Sequence, residues 1–378
     1  MAFSLNIPCR IYSGEGCVAG NASALCLGGK AFIVTGRSGA RLCGALDDVC
    51  QALDSNAIKY EIYSEVSENP PLLDCFSAGR RCSAAGCDFI VAIGGGSALD
   101  AAKAIAAFAT TEYGEPEDLF APEKKLAPSL PLVCIPTTAG TGSEANCYSV
   151  LTLPDGKRKR TFSHPQSWAK AVFLDPRYTY TLSREYTFST ALDAFHHAME
   201  SYLSPKSDEL SRMMAIYAAK KIWEVISQYP ESFTPQMRSD LLYASCAAGI
   251  AISVTGTGFP HPLGYSLTLL DGIPHGRACA CFAADYIDYN FANELGAALI
   301  SEFCSQLNVK PKVLCELLSG LADVSLTLSD EQITEHVELV KSAGNYANSP
   351  YVLSVNEMYD IYKKHFSKKR SRRSAVIC

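Results

Sequence analysis

The chain has 378 residues, of which 48% are apolar and 19% charged, and its net charge is −6. This composition predicts one large domain or two ordinary ones, and it excludes a disordered, collagen-like or low-complexity chain. Seven of the 33 Lys and Arg residues stand in a basic tail at 363–378, so the rest of the chain is acidic. Because nucleic-acid backbones require a basic face, we expect no nucleic-acid partner, and we expect the tail to be a solvated terminus.

The cysteine pattern indicates a reducing compartment. None of the sixteen cysteines forms a C-x-x-C pair, and several stand among apolar neighbours, as Cys134 and Cys246 do. Such thiols behave as small buried hydrophobes, so we expect reduced core cysteines in a cytoplasmic protein. No secretory signal is visible at the N-terminus, and the most apolar stretch, 241–254, is too short for a bilayer and predicts a buried helix, so we expect no membrane partner.

The first half alternates strand and helix patterns. Strands are predicted at 30–35, 59–63, 88–93 and 130–135, and helices at 40–53 and 98–107. Repeated strand–helix–strand units are typical of a parallel sheet with helices on both faces. The sequence therefore predicts an α/β fold for this half.

The second half is predicted to be helical. Helical periodicity covers 189–202, 208–225, 240–252, 292–307 and 332–343. The scarcity of strand patterns there predicts a separate all-α domain. We place the boundary near Tyr180, which gives an α/β domain at 1–180 and a helical domain at 181–378.

Two loops rich in glycine and hydroxyl groups follow buried strands. Gly94-Gly-Gly-Ser97 opens a helix, and Pro136-Thr-Thr-Ala-Gly-Thr-Gly-Ser143 follows the next strand. A helix N-terminus offers free N–H groups to a phosphate, and ligands of open parallel sheets bind at the carboxyl ends of strands. The first loop lacks the G-x-G-x-x-G spacing, and a tight turn alone would also require glycine. Together, however, the two loops favour a phosphate-binding site.

Histidines, rather than cysteines, form the predicted metal site. Asp193 and His197 are four residues apart in a helical segment and share one face, whereas His196 points about 100° away. His261 and His275 stand in apolar, proline-flanked segments that we interpret as rigid turns. Asp193 with three histidines would bind Fe(II), Zn(II), Co(II) or Mn(II) through nitrogen and oxygen, leaving room for an exogenous oxygen.

These motifs resemble those of the iron-containing (group III) alcohol dehydrogenases. The resemblance covers nearly the whole chain, from the region of Pro8 through the helical half, and it rests on four ordered segments: 94–103 (GGGSALDAAK), 136–144 (PTTAGTGSE), 193–202 (DAFHHAMESY) and 261–276 (HPLG to IPHG). It implies a dehydroquinate-synthase-like two-domain fold, with an α/β dinucleotide-binding domain, an all-α domain and the active site between them. It also implies a homo-oligomer, with a dimer expected.

The resemblance further implies which residues act. The implied metal ligands, for Fe(II) with Zn(II) as the alternative, are Asp193, His197, His261 and His275. The implied cofactor-site residues, with the pyrophosphate on the glycine turn, are Gly94, Gly95, Gly96, Ser97, Asp100, Thr137, Thr138, Thr141 and Lys159. The implied reaction moves a hydride between a nicotinamide cofactor and a small primary alcohol or aldehyde, while the metal polarises the substrate oxygen.

Two positions depart from the family pattern. Many members carry a further histidine four residues after the third ligand, where this chain has Tyr265. Two roles for Tyr265 stay open: Tyr265 or an ordered water replaces that histidine in a proton path, or the Tyr265 ring forms an aromatic wall of the pocket. NAD-preferring relatives commonly place an acid after the first strand for the ribose 2′-OH, but here the residues are Gly36, Arg37 and Ser38. A cation without a neighbouring carboxylate suits a 2′-phosphate, so we predict NADP(H) over NAD(H).

Two alternative functions remain open from the sequence. One is a glycerol-dehydrogenase-like or other polyol or hydroxy-acid enzyme, or a dehydroquinate-synthase-like enzyme, of the same superfamily. The other is a non-catalytic assembly protein that binds a nucleotide and a metal. Metal analysis and an NADPH oxidation assay distinguish the second alternative from an enzyme.

Overall fold

The computed structural model describes residues 5–111, 113–121 and 128–367; the part of the basic tail beyond Ser367 lies outside them. The strands β1 to β8 are Arg10–Ser13, Lys30–Gly36, Lys59–Val66, Phe89–Gly94, Leu132–Pro136, Tyr148–Thr152, Lys159–Ser163 and Ala171–Leu174. Six of them form one parallel sheet in the order β1-β8-β5-β4-β2-β3, and β6 and β7 form a separate antiparallel pair.

Helices flank the sheet and then make up the second half. The helices α1 to α16 are Cys17–Gly20, Ala22–Leu25, Gly39–Leu42, Ala45–Ser55, Leu72–Ala84, Gly96–Phe108, Arg184–Leu203, Glu209–Ile226, Pro235–Thr255, Pro260–Asp271, His275–Ala280, Ala283–Phe291, Glu294–Gln306, Pro311–Ala322, Asp330–Val340 and Val355–Phe366. The predicted α/β sheet followed by a helical part is therefore confirmed. The predicted boundary near Tyr180 lies between the end of β8 and the start of α7.

The two central strands place the two predicted phosphate loops side by side. Every residue of β4 and β5 is buried, as expected for parallel strands covered on both faces. Gly94 pairs with Pro136 at their carboxyl ends, and the Thr137 N–H donates to the Gly94 carbonyl at 3.0 Å. Both loops therefore start from the same edge of the sheet.

Some elements differ from those that the local sequence patterns predict. The predicted helix at 40–53 is two helices, because Gly44 adopts a left-handed φ of 82° between α3 and α4. His261 and His275 lie at the starts of helices α10 and α11, whereas the sequence predicted rigid turns between elements. Proline is favoured at and just before helix starts, because its fixed φ suits the first turn and its missing N–H is not needed there. The flanking prolines thus mark helix N-termini.

The apolar stretch at 241–254 forms the C-terminal two thirds of a largely buried helix, as expected. It belongs to α9, which packs against α7 and α8. Among the described residues no single helix has the length and hydropathy of a bilayer span, and only the pair α9 and α10, bent by 114°, meets those criteria jointly.

Backbone contacts join the second phosphate loop to the helical half. Gly142, with a left-handed φ of 58°, packs against Gly249 of α9, where a Cβ on Gly142 would lie 2.5 Å from the Gly249 Cα. A Cβ on Gly140 would lie 2.8 Å from the Thr190 Cβ of α7. Because side chains at these glycines would force the two surfaces apart, the glycines set the distance between loop and helices.

Gly249→Ala is expected to destabilise the protein by about 1–3 kcal/mol, because the new methyl group would overlap the Gly142 carbonyl. Chemical denaturation measures this change in the free energy of unfolding. The control is Gly320→Ala at an exposed position of α14, where no atom lies within 4 Å of the added Cβ and the substitution should stabilise the helix by roughly 0.5–1 kcal/mol. Equal stability of the two variants would contradict the close contact.

Candidate active site

The structure brings all four predicted metal ligands around one oxygen atom. Asp193 and His197 lie one turn apart on α7, and His261 and His275 come from α10 and α11. The Nε2 atoms of His261, His197 and His275 lie 3.4, 3.6 and 3.8 Å from Asp193 Oδ1. His275 keeps a quarter of its side chain exposed, whereas the other three side chains are buried. The cluster thus has one open side.

The donor atoms of this cluster fit a divalent metal. Asp193 Oδ1 and His261 Nε2 are buried without a hydrogen-bond partner among the described residues. Leaving such atoms unpaired is costly. Ligands about 2.1 Å from a shared ion at tetrahedral angles stand about 3.4 Å apart, close to the separations observed here. A cation in their midst would therefore satisfy both unpaired atoms.

Electrostatics keep three of the four predicted ligands, Asp193, His197 and His275, in the protonation states that bind a metal. Burial opposes ionisation of Asp193, but His197 and the other two imidazoles hold its pKa well below the usual range. Burial lowers the pKa of His197 to about 4 and that of His275 well below its usual value. These two imidazoles are therefore neutral at pH 7, which is the form that binds metals.

Glu200 orients one of the histidines, a role that was not predicted from the sequence. Its Oε2 accepts hydrogen bonds from His261 Nδ1 and from the Gly258 N–H, both at 2.7 Å, and the side chain is fully buried. Nδ1 of His261 is thereby occupied, which leaves Nε2 to face Asp193. Burial works against protonation of His261, but Glu200, followed by Asp193, raises its pKa to about 9. The available signal was spacing, since Glu200 lies two turns after Asp193 on the same helix face.

The Cys279 thiol also lies near the cluster, whereas His196, the residue adjacent to His197, does not. Cys279 Sγ lies 3.8 Å from His275 Nε2, and Asp193, His261, His275 and Cys279 each offer a donor atom within 4.8 Å of the others. His196 Nδ1 instead contacts the Leu192 carbonyl at 2.8 Å within its own helix. His196 thus points away, as the helical geometry predicted.

Tyr265 and Lys159 lie against the cluster. The Tyr265 ring stacks on His275 with 5.4 Å between ring centroids, and Lys159 Nζ is 5.1 Å from the centre of the Tyr265 ring. Burial lowers the pKa of Lys159 to about 8. Lys159, predicted to line the cofactor site, therefore also reaches the ring that covers a predicted metal ligand.

The glycine turn exposes a helix N-terminus between the two loops. α6 begins at Gly96, and no side chain caps its first N–H groups. A Cβ on Gly95 would lie 3.1 Å from Thr138, and one on Gly96 would lie 2.5 Å from Thr141. The two loops can pack this closely only because these residues are glycines. The uncapped N–H groups and their positive dipole suit an anionic group such as a pyrophosphate.

Ser97 and Asp100 already take part in protein hydrogen bonds. Ser97 Oγ accepts from the Asn69 N–H at 3.2 Å. The two carboxylate oxygens of Asp100 accept from the Ser143 hydroxyl and, at 3.0 Å, from the Val150 N–H. Asp100 therefore links α6 to the second loop and to the β6–β7 pair.

Lys103 of α6 binds the chain that follows the second loop, and the sequence did not predict it as a site residue. Its ammonium is fully buried and donates to the Ser143 carbonyl and hydroxyl at 2.7 Å each, to Asn146 Oδ1 at 3.3 Å and to the Tyr148 carbonyl. A buried ammonium is tolerated only when its three donors are satisfied. Lys103 therefore stabilises the chain from Ser143 to Tyr148.

The residues predicted to select the cofactor lie at the carboxyl end of β2. Gly36 ends this strand next to Val66 of β3, and Thr35 pairs with Ile93 of β4, so the segment is close to the glycine turn. Arg37 and Ser38 are exposed, and Arg37 forms no ion pair within the part of the chain that the structure describes. Their side chains are available to a ligand.

Comparisons with known proteins extend over both halves. Residues 8–176 match the family profile of iron-containing alcohol dehydrogenase, and 187–366 match that of the C-terminal part of the Fe-containing alcohol dehydrogenase family. Sulfoacetaldehyde reductase of Bilophila wadsworthia is 32% identical over 306 residues, 80% of this chain and 79% of the relative. The structure of an iron-containing alcohol dehydrogenase from Thermotoga maritima is similar, with a TM-score of 0.89 and 35% identity. The match covers 97% of this chain and 99% of the other. The structure of sulfoacetaldehyde reductase from Bifidobacterium kashiwanohense in complex with NAD+ has a TM-score of 0.86 and 25% identity. This match covers 97% of this chain and 100% of the other.

Glu200→Gln is expected to weaken divalent-metal binding roughly 10–100-fold, because the amide lacks the charge that orients and polarises His261. Competition with a chromogenic chelator measures the metal affinity. Glu209→Gln, an exposed position in the first turn of α8, is the matched control. Wild-type metal affinity in Glu200→Gln would show that Glu200 does not act through His261.

Proposed function

Because the chain belongs to the iron-containing alcohol dehydrogenase family, we propose that it reduces a small aldehyde with NADPH at the Asp193 cluster. The resemblance of the four sequence motifs is thereby confirmed, and the chain is a nicotinamide-dependent alcohol or aldehyde oxidoreductase rather than a silent assembly protein. The single observation that carries the metal chemistry is the convergence of three imidazole Nε2 atoms on Asp193 Oδ1.

In this proposal Asp193, His197, His261 and His275 hold the metal, Fe(II) by preference. When bound, the ion supplies Lewis acidity toward the substrate oxygen, and the nicotinamide donates or accepts the hydride. The protein itself orients the reactants and excludes water, because all of the ligands except the partly open His275 are buried. The substrate enters from the His275 side, where the stacked Tyr265 ring forms an aromatic wall.

The cofactor is proposed to lie across the two loops. Gly95 to Ser97 at the uncapped start of α6 would hold its pyrophosphate, together with Thr138 and Thr141 of the second loop, which pack against these glycines. Lys159 lies at the junction with the metal cluster, where its position over the Tyr265 ring supports contact with the nicotinamide end. Lys159 would thus hold the reactive end of the cofactor beside the Asp193 cluster.

We propose NADP(H) as the preferred cofactor and a small, partly apolar aldehyde as the substrate. Arg37 is exposed without an ion-pair partner among the described residues, and Gly36 offers no carboxylate to repel a 2′-phosphate. The sulfoacetaldehyde reductase solved with NAD+ is a different protein that shares 25% of its residues. Polyol oxidation remains the second candidate, since a 1,3-propanediol oxidoreductase also shares the fold at 25% identity.

We also propose a cytoplasmic homodimer. All fifteen cysteines within the described residues are free thiols, which supports a reducing compartment. Strand β1 ends the sheet and has an unpaired edge in the described part of the chain, which is the kind of surface that a second copy can cover. Sedimentation equilibrium measures the mass that distinguishes a dimer from a monomer.

His197→Ala is expected to lower aldehyde reduction with NADPH on the order of 100-fold or more, because the metal loses one of four ligands. Chelation should abolish activity in the wild type, and Fe(II) or Zn(II) should restore it under anaerobic conditions. The control is His196→Ala, at the adjacent buried histidine, whose Nδ1 contacts the Leu192 carbonyl of its own helix. Unchanged aldehyde reduction in His197→Ala would contradict the metal mechanism.

Arg37→Ser is expected to reduce kcat/KM for NADPH about 10-fold and to leave kcat/KM for NADH nearly unchanged, since one charge-assisted contact to a phosphate is lost. Arg41→Ser, an exposed arginine on the neighbouring α3, is the control. A wild-type enzyme that prefers NADH would contradict the proposed cofactor specificity.

A further inference from the structure

The face of α7 that carries Asp193 begins with an exposed aromatic residue, Tyr186. Tyr186 lies seven residues, or about two helical turns, before Asp193, so the two side chains share one face of the helix. Thr190 lies between them on that face and packs against Gly140 of the second phosphate loop, since a Cβ on Gly140 would lie 2.8 Å from the Thr190 Cβ. Tyr186 therefore belongs to the surface that connects this loop with the Asp193 cluster.

The Tyr186 ring lies between the two halves of the chain. The residue is 42% exposed, yet burial is the largest cause that raises the pKa of its phenol, followed by the carboxylates of Glu68 and of Asp193. Glu68 belongs to the α/β half and directly precedes Asn69, whose N–H donates to Ser97 Oγ at the glycine turn. The phenol is thus within electrostatic range of a neighbour of the glycine turn on one side and of the Asp193 cluster on the other.

No protein group occupies the free side of this ring. Among the described residues, the Tyr186 hydroxyl has no hydrogen-bond partner and the ring has no aromatic neighbour. In the proposed function, the pyrophosphate lies at the start of α6 and the reactive carbon lies at the Asp193 cluster, so the nicotinamide ring lies between these two places. Flat aromatic systems attract one another in offset stacking and remove apolar surface from water when they pack together. The exposed Tyr186 ring therefore suits a planar ligand group.

We propose that Tyr186 is a cofactor-binding residue, whose ring packs against the nicotinamide end of the dinucleotide and positions it toward Asp193. This inference rests on the proposed function, because it requires a nicotinamide cofactor at the two loops. It gives α7 a contact with the cofactor in addition to its two predicted metal ligands. The ring supplies the contact and the hydroxyl does not, so phenylalanine should replace tyrosine at this position.

Binding of two ligands to the whole chain, measured by isothermal titration calorimetry, tests this assignment. One ligand is NADPH, and the other is 2′-phospho-ADP-ribose, which has the same pyrophosphate and riboses but no nicotinamide. Tyr186→Ala is expected to weaken NADPH binding about 10-fold and to change the affinity for 2′-phospho-ADP-ribose less than about 2-fold. Tyr186→Phe should bind both ligands as the wild type does. Tyr217→Ala, at an exposed tyrosine of α8, is the matched control.

The comparison of the two ligands separates this proposal from the proposed function. Equal losses for both ligands in Tyr186→Ala would indicate a structural role, and no loss for either would indicate no contact; each result would overturn the role of Tyr186 and leave the cofactor site at the two loops. A wild type that binds neither NADPH nor NADH would overturn both proposals. Thermal melts by circular dichroism establish that each variant is folded. If Tyr186→Ala does not fold, Tyr186→Leu, which keeps apolar bulk without a planar ring, should weaken NADPH binding about 3-fold or more and leave 2′-phospho-ADP-ribose binding unchanged.

Discussion

One buried carboxylate oxygen organises the helical half of this protein. Asp193 Oδ1 has no hydrogen-bond partner among the described residues, yet three imidazoles keep the pKa of its carboxyl group low. A buried charge of this kind is tolerated only if opposing groups surround it. The histidines come from α7, α10 and α11, so these helices must converge on one point. Gly276 permits that convergence, because a side chain there would overlap the Ser189 carbonyl of α7.

The same principle of close backbone contact connects the metal cluster with the phosphate loops. Gly140 and Gly142 place the second loop against α7 and α9, with Gly249 as the facing residue. Lys103 fixes the continuation of that loop from within the α/β half. Hydride transfer requires reacting atoms to be held about 3–3.5 Å apart. A rigid contact between the predicted cofactor loop and the helix that carries two predicted metal ligands would provide this alignment, which a flexible connection would not.

Residues close together in the chain were predicted well, and those that act across elements were not. The parallel sheet and the Asp193–His197 pair follow from strand and helix periodicity, which depends on neighbouring residues. Glu200 had the spacing of a same-face residue, but most glutamates on helices are solvated, and only its complete burial against His261 shows its role. The prolines beside His261 and His275 were interpreted as turns, although they begin helices whose extent depends on packing.

The sequence by itself determined the α/β and helical halves, the two phosphate loops and the identity of the candidate metal donors, because periodicity, glycine spacing and proline geometry are local properties. Only the tertiary structure decided that the donors converge on Asp193 Oδ1, that Glu200 orients His261, and that Cys279 packs beside His275. Several cysteines have the apolar neighbours of a buried thiol, and the sequence does not distinguish among them. Which cysteine lies near the unpaired Asp193 carboxylate depends on how helices that are distant in the sequence pack together. That packing exists only in the folded chain.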